Sequence, residues 1–346
     1  MVLAPMETIG VPTPNLEIAS TSTPIPTDPK PTEALLQPSA TSTQAAADGK
    51  ARIAFVQTAD RAGGVRKAID LLGIKPVAGK RLFVKPNFNS ADPTPGSTHP
   101  DVLFALVMAL KAMGAAKITV GDRSGMGDTR QVMELLGVFS MADQMDFDVV
   151  VFDELASEDW TMIQPDGSHW SGGFPFARPC LEAEALVQTC NLKTHRYGGH
   201  FTLSLKNSVG MVANRYGGHN FMTELHSSPH QRRMIAEINT AYTPALIVMD
   251  GIEAFISGGP DVGERVSPNV ILAGVDRVAL DAVGVALLRY HGCKTEAAQG
   301  KIFELEQIAR AVELGLGVDH PEKIELITGD ANSQVYSEKI KGVLMA

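Results

Sequence analysis

The sequence predicts an α/β protein: an open, mostly parallel sheet with helices on both faces and an inserted lobe. Three observations carry this expectation. From Arg52 onward, short β-branched runs alternate with amphipathic runs. The order strand, helix, strand recurs along the chain, as parallel pairing requires. Charged and amide residues gather where the strand-like runs end, and ligands of open α/β sheets sit beyond those carboxyl ends.

In order, RIAFV (52–56) is followed by a helical run over 61–73, and RLFVKPN (81–87) by one over 100–113. Pro100 suits the first turn of that second helix, whose Val102, Leu103, Leu106, Val107 and Leu110 share a face. KITVGD (117–122) precedes a helix at 128–138, and DVVVFD (148–153) precedes the expected insert at 155–230. EALVQTCNLK (184–193) reads as a strand and 229–241 as a helix, with Ser228 as its cap and Ser228 to Gln231 as a capping box. ALIVMDG (245–251) and NVILAG (269–274) are strands, 276–291 and 295–314 helices, and KIELITG (323–329) a last strand. Asp276 suits an N-cap, whereas Asp281 falls inside an apolar helix and needs a partner. Residues 51–346 are thus expected to form one compound domain. Residues 1–50, rich in Thr, Ser, Pro and Ala without apolar periodicity, read as a disordered tail.

The 346 residues carry a formal charge of −9, which speaks against broad nucleic-acid or anionic-membrane binding. No apolar run has the length of a membrane span and the N-terminus has no signal-peptide pattern, so the chain as written is expected in the cytoplasm. Export is the alternative, should the native start lie upstream, because Thr/Pro-rich segments often tether exported domains. Cys180, Cys190 and Cys293 have no CxxC spacing, so the chain has no intrinsic iron–sulfur motif, and such a centre would come from an electron-transfer partner protein.

Four strand ends point to one shared cleft: Lys85 and Asn87; Asp122 and Arg123; Lys193 and His195; and Asp250. Five of the nine histidines, His195, His200, His219, His226 and His230, fall within 36 residues. Histidine is a proton carrier and the commonest metal ligand, so a divalent metal held by His200, His219 and His226 is one expectation. The pentapeptide RYGGH occurs twice, at 196–200 and 215–219. Each copy reads as a jaw with a cation (Arg196, Arg215), an aromatic face, a glycine hinge and an imidazole. Between them lie Lys206 and Asn207, where a lysine can bind an anion or act as a nucleophile. The glycines of SGGPDVGE (257–264), Gly258 and Gly259, suit a lid or a close backbone contact to ligand; no nucleotide motif is present there.

VKPNF (84–88), STHPD (97–101), GAAKITVGDRSG (114–125), NLKTH (191–195), TLSLKNSVG (202–210), VMDGIEAFISGGP (248–260) and AGVDRVALDAVG (273–284) together resemble the bacterial and archaeal family named domain of unknown function 362. The resemblance covers about residues 52–330. It implies an α/β domain, sometimes fused to a ferredoxin-type module whose cysteine motifs are missing here. It singles out Lys85, Asn87, His99, Lys193, His195, Lys206, Asn207 and Asp250 without implying a reaction. A second likeness is to the N-terminal part of lactate racemase-type enzymes, which hold a nickel pincer nucleotide; it rests on a Thr-Pro-rich loop before a helix, then His, a glycine loop, Lys and His.

The expected function is an enzyme acting on a small anionic substrate by redox or proton-transfer chemistry. His195, His200, Lys206 and Asp250 are the candidate catalytic groups. Lys85, Asn87, His99, Asp122, Arg123, Lys193, Arg196, Asn207, Arg215, Gly258 and Gly259 are the candidate ligand-binding ones. The competing class is a non-catalytic metal or anion receptor.

Overall fold

The computed structural model describes residues 49–346, so the expected tail lies outside the described residues but for its last two. Strand β1 (Ala51–Gln57) runs into helix α1 (Arg61–Leu72), capped by Asp60. Next come β2 (Arg81–Lys85), α2 (Pro100–Ala112), β3 (Lys117–Asp122), α3 (Thr129–Leu135), α4 (Val138–Met145) and β4 (Asp148–Val151). Beyond β4, β5 (Trp160–Ile163) and β6 (Phe174–Ala177) pair as a separate two-stranded sheet, followed by α5 (Arg178–Glu182). The chain re-enters the main sheet as β7 (Ala185–His195), turns back as β8 (His200–Thr202), and passes through α6 (Ser204–Asn207), β9 (Arg215–Tyr216) and β10 (His219–Asn220). Helices α7 (Phe221–Ser227) and α8 (Gln231–Ile238) lead to β11 (Pro244–Gly258), β12 (Gly263–Val266) and β13 (Val270–Gly274). Helix α9 (Arg277–Tyr290), α10 (Glu306–Glu313), β14 (Ile324–Ile327) and α11 (Ala331–Leu344) complete it.

The main sheet has the order β14-β1-β13-β11-β7-β2-β3-β4, with β12 and β8 paired to β11 and β7. Along that path only β13 runs antiparallel to its neighbours. The eight strands of the path are the eight runs read from the sequence, as expected where both faces of a parallel sheet are covered and its strands become apolar runs. Strand alternation divides the core. Ile53 and Phe55 of β1 join one cluster with α9 and α11, while Ala54 and Val56 join a second with α1 and α2. An aromatic cluster built on Phe83, Phe152, Trp160, Trp170, Phe174 and Phe176 takes Leu186 of β7, two-residue steps from Cys190 and Leu192 of the first cluster. It therefore shares that face of the sheet.

Three helix expectations are corrected. The run 295–314 is not continuous: 296–298 and 302–304 are single 3₁₀ turns around Gly300, and only Glu306–Glu313 is α-helical. The run 128–138 stops at Leu135, and α4 starts afresh after Gly137. Ser228 caps no helix; its hydroxyl accepts from the His230 N–H in a turn, and α8 begins at Gln231. Both aspartate expectations hold. Asp276 caps α9 by accepting from Ala279 N–H. The buried Asp281 accepts from Ser204 N–H (2.8 Å), Leu205 N–H (3.0 Å) and Ser204 Oγ (2.5 Å), which ties α6 to α9. Among the described residues no helix is long and apolar enough to cross a membrane.

Candidate active site

A cavity of about 490 Å³ opens at the carboxyl ends of β2, β3 and β7. Lys85, Asn87, Asp122, Arg123, His195, Lys206, Asn207 and His226 all line it, so eight of the sequence-chosen residues do meet in one place.

Its floor is an ion pair. Lys85 Nζ stands 2.6 Å from Asp122 Oδ1 and donates to Asn207 Oδ1 (3.1 Å) and Pro86 O (2.7 Å). Asp122 accepts further from the Phe88 and Arg123 N–H groups, each at 2.7 Å. Burial lowers the Lys85 ammonium and raises the Asp122 carboxyl, and their mutual attraction works against both shifts. Gly210 lies directly against this pair: a Cβ there would fall 2.4 Å from Asp122 Oδ1 and 2.8 Å from Lys85 Nζ. Only a glycine lets the turn after α6 approach so closely. Arg123 is bound to backbone carbonyls, donating to Val212 O (2.9 Å), Ser124 O (3.1 Å) and Val209 O (3.1 Å), so it pins loops and contributes charge without a carboxylate partner.

Above the floor stand Lys206 and His195. Lys206 is buried, and among the described residues its amine has neither an ion-pair nor a hydrogen-bond partner. Burial, aided by the Arg123 charge, lowers it to about 8. His195 Nδ1 is likewise buried without a partner. Burial first, then the nearby Lys206 and Lys193 charges, hold its imidazole well below the usual histidine range, so it is neutral at pH 7. The two side chains converge on one glycine: a Cβ on Gly199 would lie 2.8 Å from Lys206 Cε and 3.0 Å from His195 Nδ1. The His226 ring, also on the cavity lining, uses Nδ1 for Met222 O (2.7 Å); the carbonyl fixes the proton on Nδ1 and leaves Nε2 with its lone pair.

Sequence reasoning missed other lining residues, among them Asn89, Ser124, Thr202 and Met222. Asn89 and Thr202 matter most. Asn87 Oδ1, Asn89 Nδ2 and Thr202 Oγ1 are all buried and unpartnered, and natural interiors seldom leave such atoms unsatisfied. The signal for Asn89 was its place two residues past Asn87. None marked Thr202, which faces Lys193 across the β7–β8 pair.

The remaining choices lie elsewhere, which corrects the single-cleft expectation. Lys193 is fully buried behind the cavity and donates to Gly96 O (2.5 Å) and Pro260 O (3.1 Å). Asp250 is bound to Arg61 Nε at 2.9 Å, with Glu253 on the same guanidinium, and does not line the cavity. His99 is the N-cap of α2, its Nδ1 accepting from Asp101 N–H. Gly258 and Gly259 serve as acceptors rather than as a lid: Gly258 O takes the Thr194 hydroxyl, and Gly259 O takes the Arg196 N–H and guanidinium.

The repeated pentapeptide is turn chemistry. The first copy closes the β7–β8 hairpin, with Arg196 paired to Asp261 (2.7 Å) and stacked on Tyr197 (4.5 Å to the ring centre). The second makes the β9–β10 hairpin, where Gly217 and Gly218 at φ 56° and 84° supply the two positive-φ residues of a type I′ turn. Arg215 is exposed, and His219 faces Glu224 at 2.6 Å; neither lines the cavity. His200 has Arg232, Glu296 and Glu306 as charged neighbours. The two copies therefore do not form jaws on one ligand. Among the described residues no group of three or more His, Cys, Asp or Glu side chains is placed to hold a metal ion, so the donor set His200, His219 and His226 does not fit one. His219→Ala is expected to change stability by less than about 1 kcal/mol in urea denaturation, as for an exposed ion pair.

Comparison with known proteins finds relatives of this chain. A thylakoid-associated protein of Synechocystis is 25% identical over 256 residues, 72% of this chain and 75% of that protein. The lactate racemase apoprotein from Thermoanaerobacterium thermosaccharolyticum matches at a TM-score of 0.40 and 16% identity, over 69% of this chain. This chain spans 57% of that enzyme's length. The family model described as Domain of unknown function (DUF362) matches residues 82–286, and the chain belongs to that family.

Proposed function

We propose that the chain is an enzyme acting on a small anionic substrate in the Lys206–His195 cavity, by proton transfer. One observation carries this reading. Lys206 is a buried ammonium facing an open cavity with no anion to answer it, and buried charges are seldom left unpaired. Arg123 makes no direct ion pair but feels the Asp153 carboxylate on the same cavity lining, and the Lys85 charge is matched by Asp122, which leaves the Lys206 charge over. A carboxylate-sized anion compensates this excess. His195, neutral and with a free Nδ1, then stands beside the bound anion as the group that takes or gives a proton. Asn87, Asn89 and Thr202 supply unpartnered polar atoms that orient the substrate's uncharged oxygens. No step is routed through a metal, since the three histidines do not assemble a site.

The reading is tested by calorimetric titration with pyruvate, lactate and inorganic phosphate. Lys206→Met is expected to cost about 1.5–3 kcal/mol of affinity, roughly tenfold to a hundredfold, as for a lost hydrogen bond to a charged group. Equal affinity in the variant would remove Lys206 from the site. A receptor without turnover binds the same anions but exchanges no substrate C–H proton with deuterated water, and that outcome would end the enzymatic reading.

A further inference from the structure

Four buried or nearly buried cations surround the cavity, and three have work to do. Lys85 is held by Asp122, Asn207 and Pro86 O; Lys193 by Gly96 O and Pro260 O; Arg123 by three carbonyls. Only the Lys206 amine is uncommitted among the described residues. It lies on the cavity wall rather than behind it, next to an imidazole nitrogen that is also uncommitted. An amine in this position is a nucleophile as well as a cation.

We propose that Lys206 is a covalent centre, its amine condensing with the carbonyl carbon of a small 2-oxo acid held in the cavity. This rests on the anionic-substrate reading above and names the substrate class. The Nζ–C bond forms as the amine adds to the carbonyl; the C–O bond then breaks and the oxygen leaves as water. His195 carries the two protons that nitrogen gives up, one after the other, to the oxygen, which is first a hydroxyl and then the departing water. The balance is ammonium plus ketone giving protonated imine plus water, with no oxidant or reductant. The charge at Nζ is the same before and after, so condensation adds no new buried charge, whereas acyl or phosphoryl transfer to nitrogen would abolish it and strand the substrate carboxylate. Asn89 Nδ2 and Thr202 Oγ1, both unpartnered, are the donors available to the carbonyl oxygen, and Asn87 Oδ1 is the acceptor available to the carbinolamine hydroxyl. Burial and Arg123 keep the lysine near 8, so a useful fraction is free amine at neutral pH.

The experiment treats the full chain with pyruvate and sodium borohydride and maps the reduced adduct by peptide mass spectrometry. The expected adduct sits on the peptide containing Lys206, and its rate rises through about pH 8, whereas ordinary surface lysines respond near 10.4. Lys206→Arg, which keeps the charge but cannot condense, removes it, and His195→Asn slows its formation by about a hundredfold without moving it. If the arginine variant does not fold, the pH profile of the wild-type adduct decides alone. No adduct on Lys206, or labelling no faster than at surface lysines, overturns the proposal. If pyruvate and lactate still bind in a Lys206-dependent way without an adduct, the covalent step fails and the anion site stands. If neither binds and no adduct forms, both fail.

Discussion

Asp122→Ala is expected to cost about 3–5 kcal/mol of stability, read as a fall in the urea midpoint at unchanged slope. The reason lies under the cavity floor. Removing the carboxylate leaves the Lys85 ammonium fully buried without a counter-charge and deprives the Phe88 and Arg123 N–H groups of their acceptor. The structure has little room to relax, because the Gly210 backbone packs directly on the pair. Removing both charges together, as Lys85→Met with Asp122→Leu, is expected to recover only the part of the loss that comes from the unpaired charge, since the Phe88 and Arg123 N–H groups still lack their acceptor. A loss below about 1 kcal/mol for the single variant would mean that Lys85 is neutral in the folded chain.

Stability is expected to rise with pH between about pH 7 and pH 8.5. Lys193 is lowered to about 7 and Lys206 to about 8, in both cases first by burial, from 10.5 in the open chain. In that window the unfolded chain binds protons that the folded chain has released, so raising the pH favours the folded state. The contribution is fully present above the unfolded lysine value and is lost as pH falls through 8 and 7. Each lysine gives up to about 1.4 kcal/mol per pH unit while its two states differ by a whole proton. Above this window the buried thiols of Cys180 and Cys190, whose ionisation burial pushes up, oppose the trend. Below it, Asp281, raised to about 7 by burial, gives the opposite slope. The readout is the slope of urea stability against pH, which Lys193→Met is expected to flatten. An unchanged slope in that variant would mean that Lys193 stays charged, paired to Gly96 O and Pro260 O, throughout the window.

The sheet was legible in the sequence because each of its eight path strands is a short apolar run closed by a polar turn, and apolar runs of that length have few other homes. The carboxyl-end rule then found Lys85, Asn87, Asp122, Arg123 and His195 without any contact information. What it could not supply was the direction of each side chain. Lys193 and His195 are two residues apart on β7, yet His195 reaches the cavity while Lys193 runs under the loops at Gly96 and Pro260. Asp250 ends a run that reads like the others, but the guanidinium that claims it is 189 positions away in the chain. Repetition misled in its own way. RYGGH is a good hairpin sequence, and two hairpins need nothing in common but their turns. The region 295–314 failed as a helix because Gly300 and two single turns keep helical composition while breaking helical hydrogen bonding.

Strand β7 is buried at all eleven positions and is paired on one side with β2 and on the other with β11. Backbone enclosed in this way opens only when the domain comes apart. His195 terminates that strand, and Lys206 lies on α6, whose Ser204 and Leu205 N–H groups are held by the buried Asp281 of α9, so both groups are mounted on the enclosed part of the molecule. The outer wall is different: Met126 and Tyr197 stand half in solvent at the rim. The division assigns two tempos to one cavity. On the function proposed above, the reacting groups are held by the sheet, while entry, fit and release fall to rim side chains that can be exchanged without touching the fold.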